Sequence, residues 1–301
     1  MGEQITPDHI FGEQFGICNR WPVRAELWVA SGVDPHEHDF MEFNIVSGGR
    51  GIHRSATGDR EVGRGDLFFL KPGAWHSYVN CDRLHVYNCV FQPTLLENEL
   101  GWLRYESALA YVLFTAPLMD QFRGIWHATA PGDLIDQCVN RLAALPELVR
   151  NQPRKPDSGS RARIIAEFLS FLCVLEDHID SLLEETGARH SQPHPIVHQV
   201  VSLFNSDLTR EWSLEDLAGV VLCDRAYLSR LCRRYAGLPP MALLARMRAD
   251  RAAYLLARTS LPVGKVGAAV GWPQPDHFAK RFRDHFHQSA SSYRMKMSRG
   301  S

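Results

Sequence analysis

Two stretches of this chain, about fifty residues apart, repeat one pattern: a short amphipathic helix, a tight turn, and a second helix with arginine or lysine on its polar side. The first opens at residues 213–216 (SLED), which have the [ST]-x-x-[DE] spacing of a capping box. Leu214, Leu217, Ala218 and Val221 follow at helical spacing, and a turn leads into residues 224–235 (DRAYLSRLCRRY). The second runs from 261–266 (LPVGKV) and Ala269 through Gly271 and Trp272 into residues 274–286 (QPDHFAKRFRDHF). One continuous helical pattern at 241–259 joins them. A helix apolar on one side has to bury that side. The last third is therefore constrained to a small all-helical body carrying two helix-turn-helix units. Two such units held about one DNA turn apart, ~34 Å, can read successive major grooves.

Charge agrees with that placement. Residues 1–189 carry 17 basic against 26 acidic side chains, net −9, whereas residues 190–301 carry 16 against 8, net +8. The overall net charge of −1 hides a C-terminal third suited to a polyanion.

The first third reads differently. Residues 20–92 hold short apolar runs, such as 67–70 (LFFL) and 84–91 (LHVYNCVF), separated by glycine-rich turns at 47–51 and 63–66. Short strands at regular spacing predict a small antiparallel barrel or sandwich. Within it stand HEHDFME at 36–42 and PGAWHSYVN at 72–80. On a strand, His36, His38, Phe40 and Glu42 share one face, and a neighbouring strand brings His76. Three imidazoles and a carboxylate suit a divalent metal such as Zn, Fe, Ni or Mn. The same groups also suit hydrogen bonds to a ligand's hydroxyls, or a purely structural polar mouth.

Residues 94–186 read as helical. Ile165, Phe168, Leu172, Leu175, Ile179 and Leu182 follow a 3-4-3-4-3 spacing, one apolar seam on a helix. That seam can pair with its copy in a second chain as a short coiled coil, or pack on the chain's own barrel. We take it as a dimerisation seam. Residues 151–160 and 187–195, rich in Pro, Ser and charge, read as exposed linkers.

Seven cysteines without a C-x-x-C pair argue for thiols in a reducing compartment. No apolar run is long enough for a membrane span, and the first residues (MGEQITPDHI) have no signal-peptide pattern. A cytoplasmic protein without a membrane partner is expected.

Residues 196–294 resemble the DNA-binding domain of the AraC/XylS family of transcription regulators, through LAGVVLCDRAYLSRLCRRYAGLPP (217–240), RMRADRAAYLLART (246–259) and VGKVGAAVGWPQPDHFAKRF (263–282). The resemblance implies base contacts from Arg225, Ser229 and Arg230 in the first unit and from Asp276, Ala279 and Lys280 in the second. Arg233 and Arg283 are better placed for phosphates. The chain departs from the family pattern at Gln274, His287 and Ala290, where a small cap residue, a glycine and a proline are usual. The histidine motifs resemble the two cupin signatures, and their surroundings are similar to the sensors of sugar-responsive, rhamnose-type members. The implied fold is a two-domain α+β chain: a cupin-like jelly-roll barrel (1–93), a helical dimerisation segment (94–186), a linker (187–195) and an all-α double helix-turn-helix domain (196–301). The implied function is an effector-responsive activator of carbohydrate-utilisation genes, not an enzyme. Its partners would be double-stranded DNA, RNA polymerase, a second copy and a small effector, a sugar, held by His36, His38, Glu42 and His76 with Trp75 or Tyr78 stacking. No cofactor is required, although His36, His38, Glu42 and His76 form a complete divalent-metal set. The alternative is a metal-dependent cupin enzyme, a sugar isomerase or dioxygenase, fused to a DNA-binding domain.

Overall fold

The computed structural model describes residues 7–10, 17, 21–105, 107–118, 122–150, 158–185, 194–286 and 288–298. The chain divides into two compact units, one drawn from residues up to Gln192 and one consisting chiefly of Pro193–Ser301.

The first unit is built on an eight-stranded sheet: β1 (Asp8–Ile10), β2 (Val23–Ala30), β3 (Val33–His38), β4 (Met41–Ser55), β5 (Gly58–Gly63), β6 (Asp66–Leu70), β7 (His76–Phe91) and β8 (Ile125–Thr129). The strands run in the order β1-β3-β7-β4-β6-β8, with β2 added to β7 and β5 to β4. All the pairings are antiparallel except β1 with β3. The sheet wraps around one apolar cluster that takes Ala30, Val46, Val62, Phe68, Leu70, Tyr78, Leu84, Val86 and Ile125 from six strands. Burial of this kind stabilises by about 25 cal/mol per Å² of apolar surface.

Two expectations for this unit need correction. Residues 94–186 are not wholly helical: β8 lies among them and pairs with β6, Phe68 opposite His127. The barrel therefore extends past residue 93. A five-residue strand (IWHAT) is too short to show a period against its helical surroundings. Those surroundings are α1 (Pro93–Glu97), α2 (Ser107–Ala110) with irregular turns, α3 (Gly132–Arg150) and α4 (Ser158–Glu185).

The dimerisation seam is also turned inward. Phe168, Leu172, Leu175 and Ile179 are fully buried within the single chain. Phe168 meets Phe91 of β7 at 4.8 Å between ring centroids, and Phe171 meets Phe43 of β4 edge-on at 5.3 Å. Phe43, Phe69 and Phe91 form an aromatic surface on the sheet, and Phe168 of the seam with Phe171 beside it packs on that surface. Ile165 is only half-buried, and the side chain of Leu182 lies outside the described residues.

The second unit is all helical: α5 (Pro195–Ser206), α6 (Leu214–Val220), α7 (Arg225–Ala236), α8 (Pro240–Arg258), α9 (Val263–Ala269), α10 (Pro275–Phe286) and α11 (Ala290–Ser298). Local chemistry sets the boundaries. Ser213 and Asp216 form the expected capping box on α6, and Asp224 caps α7 by accepting from Ala226 N and Tyr227 N at 2.8 and 3.1 Å. Gly237, left-handed at φ 74°, ends α7. The two helix-turn-helix units are built alike: α6 and α7 bury Leu217, Leu228 and Cys232, while α9 and α10 bury Val266, Phe278 and Phe282. The second carries the larger side chain, Phe278, and compensates with Gly267, where a Cβ would stand 2.8 Å from the Phe278 ring. The substitution of Ala290 for proline leaves α11 intact, because Ser289 caps it through Ser292 N at 3.0 Å. Residue 287 lies outside the described residues.

Candidate functional site

The histidine motif is split between two strands. β3 ends at His38, the chain bends at Asp39 and Phe40, and β4 starts at Met41. The four residues at 36, 38, 40 and 42 therefore do not share one face. Phe40 stacks flat on His38, 4.2 Å and 7° between the rings, and joins Ile17 and Val90 in a separate small cluster. The bend nonetheless brings Glu42 back against His38, with Oε2 3.0 Å from Nε2. The loop at 71–75 is fastened to the end of β3 by Gly73 N donating to the His38 carbonyl at 2.8 Å. This delivers His76 Nε2 to 3.6 Å from the same carboxylate oxygen.

His38, Glu42 and His76 each offer one ligand atom, all within 4.8 Å of one another, and the three side chains are buried. His38 donates from Nδ1 to the Phe40 carbonyl at 2.8 Å, which leaves its Nε2 as a lone pair facing the site. His36 donates likewise to the Asp34 carbonyl at 2.9 Å. It is half-buried, with its ring 4.3 Å from that of His76, and stands at the edge of the triad and not in it. Buried atoms His38 Nε2, Glu42 Oε2, His53 Nε2 and His76 Nδ1 have no well-aligned hydrogen-bond partner, so the enclosed site keeps unused bonding capacity. Two imidazoles and a carboxylate fit a divalent cation such as zinc, which His38, Glu42 and His76 would hold.

The structure adds residues that the sequence motifs do not mark. His53 enters the same interior, its ring 5.7 Å from His76, 5.2 Å from Tyr78 and 4.4 Å from Phe68. Tyr78 donates its hydroxyl to Asn44 Oδ1 at 3.0 Å, and Asn44 Nδ2 donates to Asn88 Oδ1 at 3.1 Å. Beyond Phe68, His127 on β8 pairs with Asp66 at 2.6 Å. Trp75 is half-buried one residue before His76. Among the described residues of this unit no lysine or arginine is buried; the exposed Arg60, opposite His53 in the β4–β5 register, acts on His53 and Asp66 from the rim.

Burial sets the titration of these imidazoles. It lowers His36, and it pushes His76 well below the ordinary value with help from His36, His38 and His53. Burial brings His53 down to about 3. All three are therefore neutral at pH 7, and each takes up a proton more readily when unfolded, near 6.5. The stabilisation they permit is complete above about pH 6.5 and is lost as the pH falls toward the folded values. For His53 alone the loss by pH 5 is about 2 kcal/mol, so the urea midpoint of the full chain is expected to fall between pH 7.5 and pH 5. A His53→Gln chain should show a shallower fall, and equal slopes for the two would refute the assignment.

In the second unit the expected contact residues fall on the polar faces of α7 and α10. Arg225, Arg230 and Arg233 are exposed and Ser229 is half-buried, while Leu228, Leu231 and Cys232 point inward. On α10, Asp276, Ala279, Lys280 and Arg283 are exposed opposite Phe278 and Phe282. Arg225 is paired with Glu215 of α6, a contact the sequence did not suggest. Arg234 and Arg281 share these exposed faces, and Arg281 donates to His277 Nε2 at 3.1 Å. His277 is exposed and outside the core.

Comparison with known proteins follows the same division. Residues 29–145 match the AraC-like ligand binding domain, and residues 217–296 match a helix-turn-helix domain. The HTH-type transcriptional activator RhaR of Enterobacter sp. (strain 638) is 22% identical over 273 residues, covering 90% of this chain and 88% of that protein. The HTH-type transcriptional regulator MtrA of Neisseria gonorrhoeae is 23% identical, covering 92% and 91%. Among solved structures, ToxT from Vibrio cholerae O395 aligns over 92% of this chain and 98% of its own, with a TM-score of 0.48 at 13% identity. A sensing-type domain and a helix-turn-helix domain thus occur in one chain, in the order and over nearly the whole length of regulators such as RhaR, and the protein belongs to the AraC family as a sequence-specific DNA-binding transcription regulator.

Proposed function

We propose that the first unit is a receptor for a small, uncharged, hydroxylated effector, a sugar by analogy with the rhamnose-type relatives, and that its occupancy alters how the regulator engages DNA. One observation carries the reading: Glu42 and the imidazoles of His38, His53 and His76 hold unused hydrogen-bonding atoms in an interior with no buried lysine or arginine. Hydroxyl groups can donate to Glu42 and accept from or donate to imidazole, whereas a carboxylate or phosphate would meet no buried countercharge among the described residues. His36 borders the same site, its ring against that of His76. The convergence of His38, Glu42 and His76 favours a second form of this reading, in which a divalent cation held by those three orders the effector.

On DNA, Arg225, Ser229 and Arg230 of α7 and Asp276, Ala279 and Lys280 of α10 are assigned to base edges, and Arg233 and Arg283 to phosphates. Their placement on two recognition-type helices, all exposed except the half-buried Ser229, supports the assignment. Activation of carbohydrate-utilisation genes, contact with RNA polymerase and a cytoplasmic site of action rest on the family relationship. So does a homodimer, which sedimentation of the full chain would detect; its seam has to be sought elsewhere than on the buried face of α4.

Thermal unfolding of the full chain against neutral sugars and their acid derivatives, with and without chelator, tests the receptor reading. A sugar at 100 times its Kd should add about 2.7 kcal/mol, a shift of several degrees. A shift lost on chelation selects the cation-assisted form. Shifts confined to the acids, or none at all, would reject the receptor as drawn.

A further inference from the structure

Helix α8 is more than a spacer between the two helix-turn-helix units. Arg248, at its middle, is 9% exposed, the one arginine or lysine among the buried polar residues of the described chain. Its Nε donates to the Leu208 carbonyl and its Nη2 to the Arg210 carbonyl, each at 2.8 Å. Those carbonyls belong to the loop between α5 and α6. Asp207 shapes that loop by accepting from Thr209 N and Oγ1 and from Arg210 N at 2.8, 2.6 and 3.2 Å. Arg210 lies over Trp212, 3.7 Å from its ring centre, and the next residue is Ser213, the cap of α6. The loop is thus the rigid entrance to the first helix-turn-helix.

The other side of the same guanidinium faces the second one. Gly271, at φ 85°, forms the turn between α9 and α10. A Cβ there would come within 2.7 Å of Arg248 Cζ and 2.6 Å of the Leu208 carbonyl. One side chain therefore touches the entrance of the first helix-turn-helix and the turn of the second, and sits on the helix that joins them. Only a planar fork can serve two carbonyls in this way, and lysine has no equivalent geometry. Burying a cation is a costly way to gain stability, and burial does lower its proton affinity, with Glu211 and Asp207 offsetting only part of the effect. Such groups are best explained by the geometry they specify.

We propose that Arg248 is a positioning residue that fixes the spacing and phase of the two DNA-reading helices, so that the regulator measures the distance between two half-sites. The inference rests on the proposed reading of bases by both α7 and α10. Arg248 itself is buried and is not assigned to a DNA contact.

The test uses the full chain and a duplex selected by it from a randomised library, with the two contacted segments located by methylation interference. One base pair is then inserted between them, which turns the second segment by about 35° and moves it about 3.4 Å. The native chain should lose at least about tenfold in affinity, comparable to one mismatched pair. R248Q and R248K should bind the original duplex more weakly but lose no more than about threefold on insertion. The ratio of the two affinities is read on one preparation, so partial unfolding of a variant does not affect it. A ratio in the variants equal to that of the native chain overturns the proposal, as does a native chain indifferent to the insertion. A salt dependence reduced by one charge in R248Q would make Arg248 a phosphate contact and overturn it too. Failure to enrich any duplex would instead remove the DNA-reading assignment on which the inference stands.

Discussion

Replacing Gly271 with alanine is expected to destabilise the DNA-binding unit by about 3 kcal/mol or more. The left-handed backbone adds roughly 1–2 kcal/mol for any side chain. The new Cβ also displaces the Arg248 guanidinium or the Leu208 carbonyl it would touch at 2.7 and 2.6 Å. A buried carbonyl or donor left without its partner costs about 1–3 kcal/mol. Together these should lower the melting transition of a unit this size by roughly 15 °C and abolish binding to a selected duplex at 37 °C. The corresponding turn of the first helix-turn-helix makes an internal control. Leu222 sits there at φ 51° with its side chain 91% exposed. Leu222→Gly relieves backbone strain of about 1 kcal/mol and adds a comparable entropic cost to folding, so little change is expected. If circular dichroism melting placed Gly271→Ala within 1 kcal/mol of the native chain, the close packing described at that turn would be wrong.

The second large effect has opposite signs on stability and on binding. Glu42→Gln keeps the shape of a side chain that is 3% exposed but replaces the carboxylate among the imidazoles with an amide. A buried carboxylate oxygen without a well-aligned hydrogen-bond partner is costly, so the ligand-free barrel should gain about 1–2 kcal/mol. Effector affinity should fall about 10–100-fold, the value of one hydrogen bond to a charged group. Zinc binding by calorimetry should be lost in the same variant, since the triad gives up its only anionic ligand. A variant less stable than the native chain, with unchanged effector affinity, would show that Glu42 serves the fold and not the site. The opposed signs are what a binding site that sacrifices stability for function predicts.

The parts of this molecule legible in the sequence are those whose cause is local. The capping box at Ser213, the Asp224 cap, the Gly237 stop and the amphipathic spacing of α7 and α10 each follow from residues within one or two turns of each other. That is why the double helix-turn-helix and its exposed basic faces can be named from residue order. The sensing site was legible only in part. His38, Glu42 and His76 were visible as a motif, but His53 was not, because alternation counted from Glu42 along β4 places residue 53 on the outer face. Register shifts between Val46 and Ile52 reset that alternation and turn His53 inward. β8 was hidden for a different reason: its identity as a strand comes from pairing with β6 and not from any period of its own.

Caps, periods and charge are written in neighbouring residues, so the order of amino acids is enough to specify a strand-rich unit with a histidine-carboxylate cluster and a helical unit with two DNA-reading motifs. Three further features depend on contacts between residues far apart in the chain: which surface each apolar seam covers, which of the four motif ligands converge, and the buried Arg248 that touches both helix-turn-helix units. A period of 3.6 residues states that a helix has an apolar side, but what lies against that side is chosen by long-range packing. Phe168 of the α4 seam met Phe91 of its own sheet, and Phe171 beside the seam met Phe43, because those rings offered apolar surface for the helix to cover.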